Sequence, residues 1–369
     1  MKKVALHGSY YGDNFGDTLF VIHFLDWLKE NDLGSEKAEI FLPFASERVR
    51  NLVEVSEKKG IKSIIEANSL VFFGGGYLGE PPSNITIWSY RLIIRHLSIA
   101  FLAYLLKKPY IFIGVGAGPL SNKIARRLTV FLCNKSQKTI VRDQESKNYL
   151  LEYGVKEEKL KVTADSILTM EPKDVDMNEK VKLLAKYNLS SQDSRLIGVH
   201  LPVGEKDINK LKLIINDLRK YCMGIPNYKL VIFNDFYKED YNYLAESIIY
   251  DVFDNDKVIS IKYETPNELI TLINELDIVI TTKLHCGIVA NCLGKHTISV
   301  SVHSKTIRLY KQLGLSERNV ALKDYETGIL QDMLLTYQHD INNTSNIPNP
   351  IRELAYENRD ELINFVNKY

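Results

Sequence analysis

The chain has almost no excess charge. Its 369 residues hold 47 Lys and Arg against 46 Asp and Glu, a formal net of +1. That excludes a nucleic-acid binder working through bulk charge, which needs a strongly basic surface. Any anion site must therefore be local. Cysteine is scarce: Cys133, Cys222, Cys286 and Cys292 are scattered and form no CxxC pair. This pattern gives no zinc signal and no dense disulfide framework, and it suits a reducing compartment. Cys286 and Cys292 read as small apolar fillers of a helix. Long apolar runs are missing too. The longest, Leu97–Leu106, falls well short of the roughly 20 residues a bilayer span takes. It reads as a buried helix, with a surface resting on a membrane as the second reading. Met1-Lys2-Lys3 supplies a charged start, but Val4-Ala5-Leu6 is too short for the apolar core of a secretory signal, and none is expected. No metal-ligating cluster is visible, and no metal or cofactor is expected.

What is present is a rhythm of short apolar strands and amphipathic helices. In the first half, strands are expected at Val4–His7, Glu39–Leu42, Ser69–Phe73, Tyr110–Gly114 and Thr139–Val141. Helices are expected at Asp17–Lys29, Ile87–Leu106 and Ile124–Cys133. The rhythm weakens between Glu171 and Ser194, around Pro172 and the polar run Ser190-Ser191-Gln192-Asp193-Ser194. A second set follows: strands at Leu196–His200, Lys229–Phe233, Val258–Ile261, Ile278–Ile280 and Thr297–Val302. Its helices are Ile208–Tyr221, Asp240–Tyr250, Pro266–Asn274 and Cys286–Leu293. The tail is interrupted by Asn342-Asn343-Thr344 and Pro348-Asn349-Pro350, then resumes as a helix from Ile351 to about Val366. The pattern predicts an α/β protein of two Rossmann-like domains with parallel sheets facing a cleft: residues 1–175, residues 176–345, and a C-terminal helix in 346–369 packing back on the first.

The polar residues concentrate at strand ends, where open α/β sheets bind ligands. The densest cluster is Thr281, Thr282, Lys283 and His285 after one strand, with His303-Ser304-Lys305 after the next. Two lysines and a histidine at one sheet edge imply an anionic ligand. Gly12-Asp13-Asn14-Phe15-Gly16-Asp17 opens a helix; Asp17 either caps that helix or binds a hydroxyl-rich ligand. Gly74-Gly75-Gly76 is either a plain loop or a place where a ligand meets the backbone closely. Gly114 to Gly118 with Pro119 is a tight turn only loosely like a dinucleotide turn. Arg142, at the end of Val141, offers a planar fork for carboxylate or phosphate, or pairs with Asp143, Glu145 or a neighbour.

In this order the motifs resemble the polysaccharide pyruvyl transferase family. The resemblance rests on Asn14-Phe15-Gly16-Asp17, the triple glycine, the G-x-G-x-G-P turn, Val141-Arg142-Asp143 with Ser146, Ala164-Asp165, and the Lys283-Leu284-His285 element with Lys305 beyond it. It covers roughly residues 3 to 315. It implies a GT-B-like fold. It also implies transfer of the enolpyruvyl group of phosphoenolpyruvate onto two hydroxyls of a sugar in a cell-surface glycan or its precursor. A cyclic ketal closes and phosphate is released, with phosphoenolpyruvate as co-substrate and no cofactor. By the resemblance Arg142, His285 and Lys305 hold the donor, with Lys283 either a further donor contact or structural. Since the reaction begins by protonating the donor's CH2 carbon, His285 is the natural proton donor, expected to be protonated mainly in the donor complex. Asn14, Asp17, Gly74, Gly75, Gly76 and Asp165 fall to the acceptor side or its loops, with Asp17 and Asp165 as candidate bases. The family usually has Arg where this chain has Lys283, which keeps the charge and loses the fork.

Two other functions fit the same fold: a glycosyltransferase using a nucleotide sugar, and a non-catalytic sugar- or anion-binding protein. The sequence leaves the acceptor open among a lipid-linked oligosaccharide, a nucleotide sugar and a finished polysaccharide. The expected setting is the cytoplasm, without nucleic-acid partners. For a lipid-linked acceptor, Leu97–Leu106 with Lys107 and Lys108 would rest on the inner membrane face.

Overall fold

Val4, Ala5 and Leu6 are fully buried, as a central parallel strand covered on both faces requires. They belong to β1 (Lys2–His7), which is followed by β2 (Ala38–Phe41), β3 (Ser69–Phe73), β4 (Tyr110–Val115), β5 (Thr139–Val141) and β6 (Leu160–Val162). The computed structural model describes residues 1–33, 37–81, 84–172, 175–189, 194–237, 241–337 and 345–369. These strands form one parallel sheet in the order β2-β1-β3-β4-β5-β6. A second parallel sheet contains β7 (Arg195–His200), β8 (Tyr228–Phe233), β9 (Val258–Ile261), β10 (Ile278–Thr281), β11 (His296–Ser301) and β12 (Asn319–Ala321). Its order is β12-β11-β10-β7-β8-β9. Numbered from β7, that is the doubly wound Rossmann order, and the strand order reverses between β7 and β10.

The chain divides into two compact units. The first comprises residues 1–13, 17–169 and 349–369; the second comprises residues 14–16 and 170–348. In the first, the C-terminal helix Asn349–Lys368 lies against the β6 end of the sheet. Thr163 Oγ1 donates to Asn358 Oδ1 at 2.9 Å, and Asn358 Nδ2 donates to the Ala164 carbonyl at 2.8 Å. Each unit has its own apolar core around its sheet.

Helix starts follow their caps. Asn122 accepts from the Ile124 and Ala125 amides, and Asp143 accepts from the Ser146 amide. Thr265 accepts from the Glu268 amide, with Pro266 in the first turn.

Three expectations need correction. Strands β6 and β12 were not anticipated: each has three residues and lies at a sheet edge, too short to show a period. Asp17 does not cap its helix, which spans Phe15–Glu30; it sits in the first turn, where a carboxylate still meets the positive end of the helix dipole. Leu97–Leu106 is not simply a buried run. It ends a continuous helical stretch, Ile85–Leu105, of whose most apolar window only 33% is buried. The polar runs 190–193 and 342–344 lie outside the described residues, as does Asp240 at the expected start of a helix; that helix is described as Tyr243–Val252.

Candidate functional site

All strands in the second sheet are parallel, so His200, Asp235 beyond β8, Lys283 beyond β10 and His303 beyond β11 are delivered to one edge. β7 and β10 run side by side with Thr281 opposite His200. This is the point where the strand order reverses, the usual ligand crevice of such sheets.

The edge is built as a chain of polar contacts. His200 is fully buried and its Nδ1 lies 3.1 Å from Thr281 Oγ1. Thr281 Oγ1 in turn accepts from the Lys283 amide at 3.0 Å, which shapes the turn into the helix Leu284–Cys292. His200 Nε2 is 3.3 Å from Asp235 Oδ1. Asn14 Nδ2 donates to Asp235 Oδ2 at 3.2 Å, and the Phe15 amide donates to the Asp235 carbonyl at 2.8 Å. Burial opposes the charge on Asp235, but the Lys283 ammonium, His200 and the Asn14 amide outweigh it and hold the carboxyl well below the usual carboxylate range.

His285, half-buried in the first turn of Leu284–Cys292, is seated by this assembly. Its ring packs so closely on Gly16 that a Cβ there would lie 1.9 Å from His285 Nδ1. Only glycine fits. Asn14 Oδ1 accepts from the Gly16 amide at 3.0 Å, so the residue that holds Asp235 also fixes the seat of the histidine.

The cations lie beside this seat. The Lys283 ammonium sits 5.8 Å from the Tyr241 ring centroid. Burial, then Lys305, Lys283 and Lys206 in that order, push His303 down to about 4. Three ammonium groups acting on one imidazole mark a strongly positive locality, suited to a phosphate or carboxylate.

His200, Asp235 and Cys286 offer one ligand atom each within 4.8 Å of one another. Burial, and then the charge of Asp235, push the Cys286 thiol well above its ordinary value.

The first unit gathers the remaining motif residues. Arg142 Nη1 donates to Asp165 Oδ2 at 2.7 Å, and both side chains are nearly inaccessible. Gly76 and Gly116 crowd the guanidinium: added Cβ atoms would lie 3.4 Å from Nη2 and 3.1 Å from Nε. Gly74 and Gly75 adopt φ of +52° and +73°, and a Cβ on Gly74 would enter the Phe20 ring. Gly74 and Gly75 are therefore required by their own backbone. Ser146 ties the turn to its neighbour, with its Oγ bonded to the Ala117 amide and carbonyl.

The structure thus brings Asn14, Lys283, His285 and Lys305 into one unit and Arg142, Asp165 and Gly74 to Gly76 into the other, with Asp17 in the latter. Sequence reasoning missed His200, Asp235 and Lys206. The rule that found His285 would have found His200, the last residue of β7, whereas Asp235 stands alone after Asn234 beyond β8.

Solved structures share this fold along the whole chain. S. aureus MnaA bound to UDP superposes with a TM-score of 0.66 at 13% identity, covering 100% of this chain and 97% of that one. UDP-GlcNAc 2-epimerase from Neisseria meningitidis bound to UDP-GlcNAc gives 0.64 at 16%, covering 99% and 100%. Anabaena HepE in complex with UDP-glucose gives 0.63 at 14%, again covering 99% and 100%. At these identities the likeness shows a GT-B-like fold and nothing more. No curated protein matches the chain in sequence. The family model described as polysaccharide pyruvyl transferase matches residues 14–304.

Proposed function

The chain belongs to the polysaccharide pyruvyl transferase family, and on that premise we propose that its pyruvyl donor is phosphoenolpyruvate and its product a cyclic ketal on a sugar. It is a transferase acting in polysaccharide synthesis. The observation that carries the finer reading is the locality around His303, where Lys206, Lys283 and Lys305 converge on the sheet edge that also holds His285. Phosphoenolpyruvate carries a phosphate and a carboxylate, and such a cluster offsets much of that charge.

In this mechanism His285 gives a proton to the CH2 carbon of the donor, which becomes a methyl group. The adjacent carbon turns electrophilic and bonds the first sugar oxygen. Phosphate then leaves that carbon with the C–O electrons, and the second sugar oxygen takes its place, closing the ketal. Of the two hydroxyl protons released, one restores His285 and the other leaves with phosphate. Histidine suits this work because its ordinary pKa lies near neutrality, and such acid catalysis contributes about 10²–10⁴-fold. Gly16 and Asn14 fix the ring, so Asn14 acts through His285 rather than on the acceptor. By resemblance to the family motif, Arg142 would hold the donor as well. Asp165 pairs with Arg142, and Asp17 and Asp165 stand as the two candidate bases. Four buried cysteines, none in a disulfide, suit a reducing, cytoplasmic setting.

The test is phosphate release from phosphoenolpyruvate across a panel of sugar acceptors, with thermal shift against phosphoenolpyruvate and UDP-sugars alongside. Acceptor-dependent release and stabilisation by phosphoenolpyruvate are expected. Stabilisation by UDP-sugars alone, with no phosphate released over the whole panel, would replace pyruvyl transfer from this donor with glycosyl transfer.

A further inference from the structure

Between Glu80 and Asp143 the sequence contains no acidic residue, while the same stretch, residues 81–142, holds 10 of the chain's 47 Lys and Arg. In a protein whose charges otherwise nearly balance, this is a strong local bias. The stretch includes the helical segment Ile85–Leu105 and the helix Lys123–Lys135 packed beside it, where the Tyr104 and Phe131 rings meet at 5.1 Å. Two of its cations, Lys138 and Arg142, flank β5 and pair with Glu361 and Asp165.

One face of Ile85–Leu105 is anchored in the first unit: Leu92, Leu97, Ala100 and Ala103 belong to its apolar core. The other face is apolar as well, yet uncovered. Ile87, Tyr90, Ile94, Phe101 and Leu105 are all exposed, Ile94 by 66%. They lie on the solvent side of a helical segment about 30 Å long that includes a π turn, Ile93–Leu97. Arg91 on this segment, Lys107 just past its end, and Lys123 and Arg127 on the neighbouring helix are exposed too. Ile124, also on the neighbouring helix, is 69% exposed.

We propose that this face is a docking surface for a bilayer rich in anionic lipid. The helix lies flat in the interface with its exposed side among the acyl chains and the cations at the headgroups. Length and composition would let Ile85–Leu105 cross a membrane, but crossing would pull Leu92, Leu97, Ala100 and Ala103 out of the core they help to build. An interfacial helix needs only the face that is already uncovered. The charge bias selects the occupant. An anionic surface attracts every cation in the stretch within a Debye length, about 8 Å at physiological salt. A second copy of the chain meeting this face by two-fold symmetry would set cations against cations.

The experiment is flotation of the full chain with phosphatidylcholine vesicles, and with vesicles in which about a third of the lipid is phosphatidylglycerol. The chain is expected to float with the anionic vesicles, to stay behind with the neutral ones, and to be released by high salt. Ile94→Glu with Leu105→Glu should lower the bound fraction about tenfold or more, with the unfolding temperature unchanged. Should that variant fail to fold, Arg91→Glu with Arg127→Glu, on exposed side chains, tests the same surface. Three results would overturn the proposal: no flotation with either vesicle, equal flotation with both at any salt, or a wild-type dimer that Ile94→Glu dissociates. None of these readouts uses phosphoenolpyruvate, so failure here and failure of the donor assignment are separate outcomes.

Discussion

The two sheet edges solve the same problem in opposite ways. In the first unit, Arg142 meets Asp165 at 2.7 Å, with glycine backbones closed around the guanidinium and almost no solvent access. In the second, Asp235 is turned toward His200 and Asn14, while Lys206, Lys283 and Lys305 converge on a histidine that resists protonation. One edge balances its charge internally. The other gathers three ammonium groups about His303, with the Asp235 carboxylate acting on Lys283 among them. The difference teaches that motif residues at strand ends are not equivalent evidence. A buried arginine with its own carboxylate has a structural reason to exist, whereas converging lysines do not stabilise one another.

The comparison can be broken or sharpened by experiment. The largest effect is expected at the second edge: His285→Ala should lower acceptor-dependent phosphate release by about 10²–10⁴-fold while leaving the unfolding temperature near that of the wild type. Full turnover in that variant would sink the assignment of the acid. At the first edge the loss should be in stability. Asp165→Ala leaves a buried guanidinium without its carboxylate and should cost about 3–5 kcal/mol in urea unfolding, and replacing both partners with apolar residues should recover most of it. An unchanged midpoint for Asp165→Ala would mean that the pair contributes nothing.

A smaller effect is expected for Gly16→Ala. The added methyl would force the His285 ring aside, and displacement of a catalytic group by about 1 Å costs on the order of 10²-fold. The loss should fall on kcat more than on KM, and equal losses in both would argue against a role in seating the acid. The smallest effect concerns His303. It should titrate near 4 in the free protein, below its unfolded value. The stability it contributes is therefore complete above about pH 6.5 and is lost as pH falls toward 4. Lys305→Gln should move the NMR titration of His303 upward, and an unshifted curve would remove Lys305 from the cluster.

Much of this was legible in the sequence, for physical reasons. Strands Ser69–Phe73, Thr139–Val141 and Val258–Ile261 were marked because apolar runs bounded by turn residues read clearly. His285, Lys283 and Lys305 stood out because they crowd two consecutive strand ends. Asp235 did not, because it is a single carboxylate after Asn234 whose partners, His200 and Asn14, are distant in sequence. The role of Gly16 was also hidden. A glycine beside a helix start suggests a turn, and nothing local reveals that a ring from residue 285 occupies the place of its side chain.

The chain leaves the first unit at Asp13, contributes Asn14 to Gly16 to the second, and returns at Asp17. Heredity therefore does not follow the midpoint of the gene. A chimaera joined at residue 170 from two divergent relatives would inherit the histidine from one parent and its seat from the other. Such an exchange keeps the seat intact when Asn14-Phe15-Gly16 travels with Asp235 and His285, more than 200 positions away.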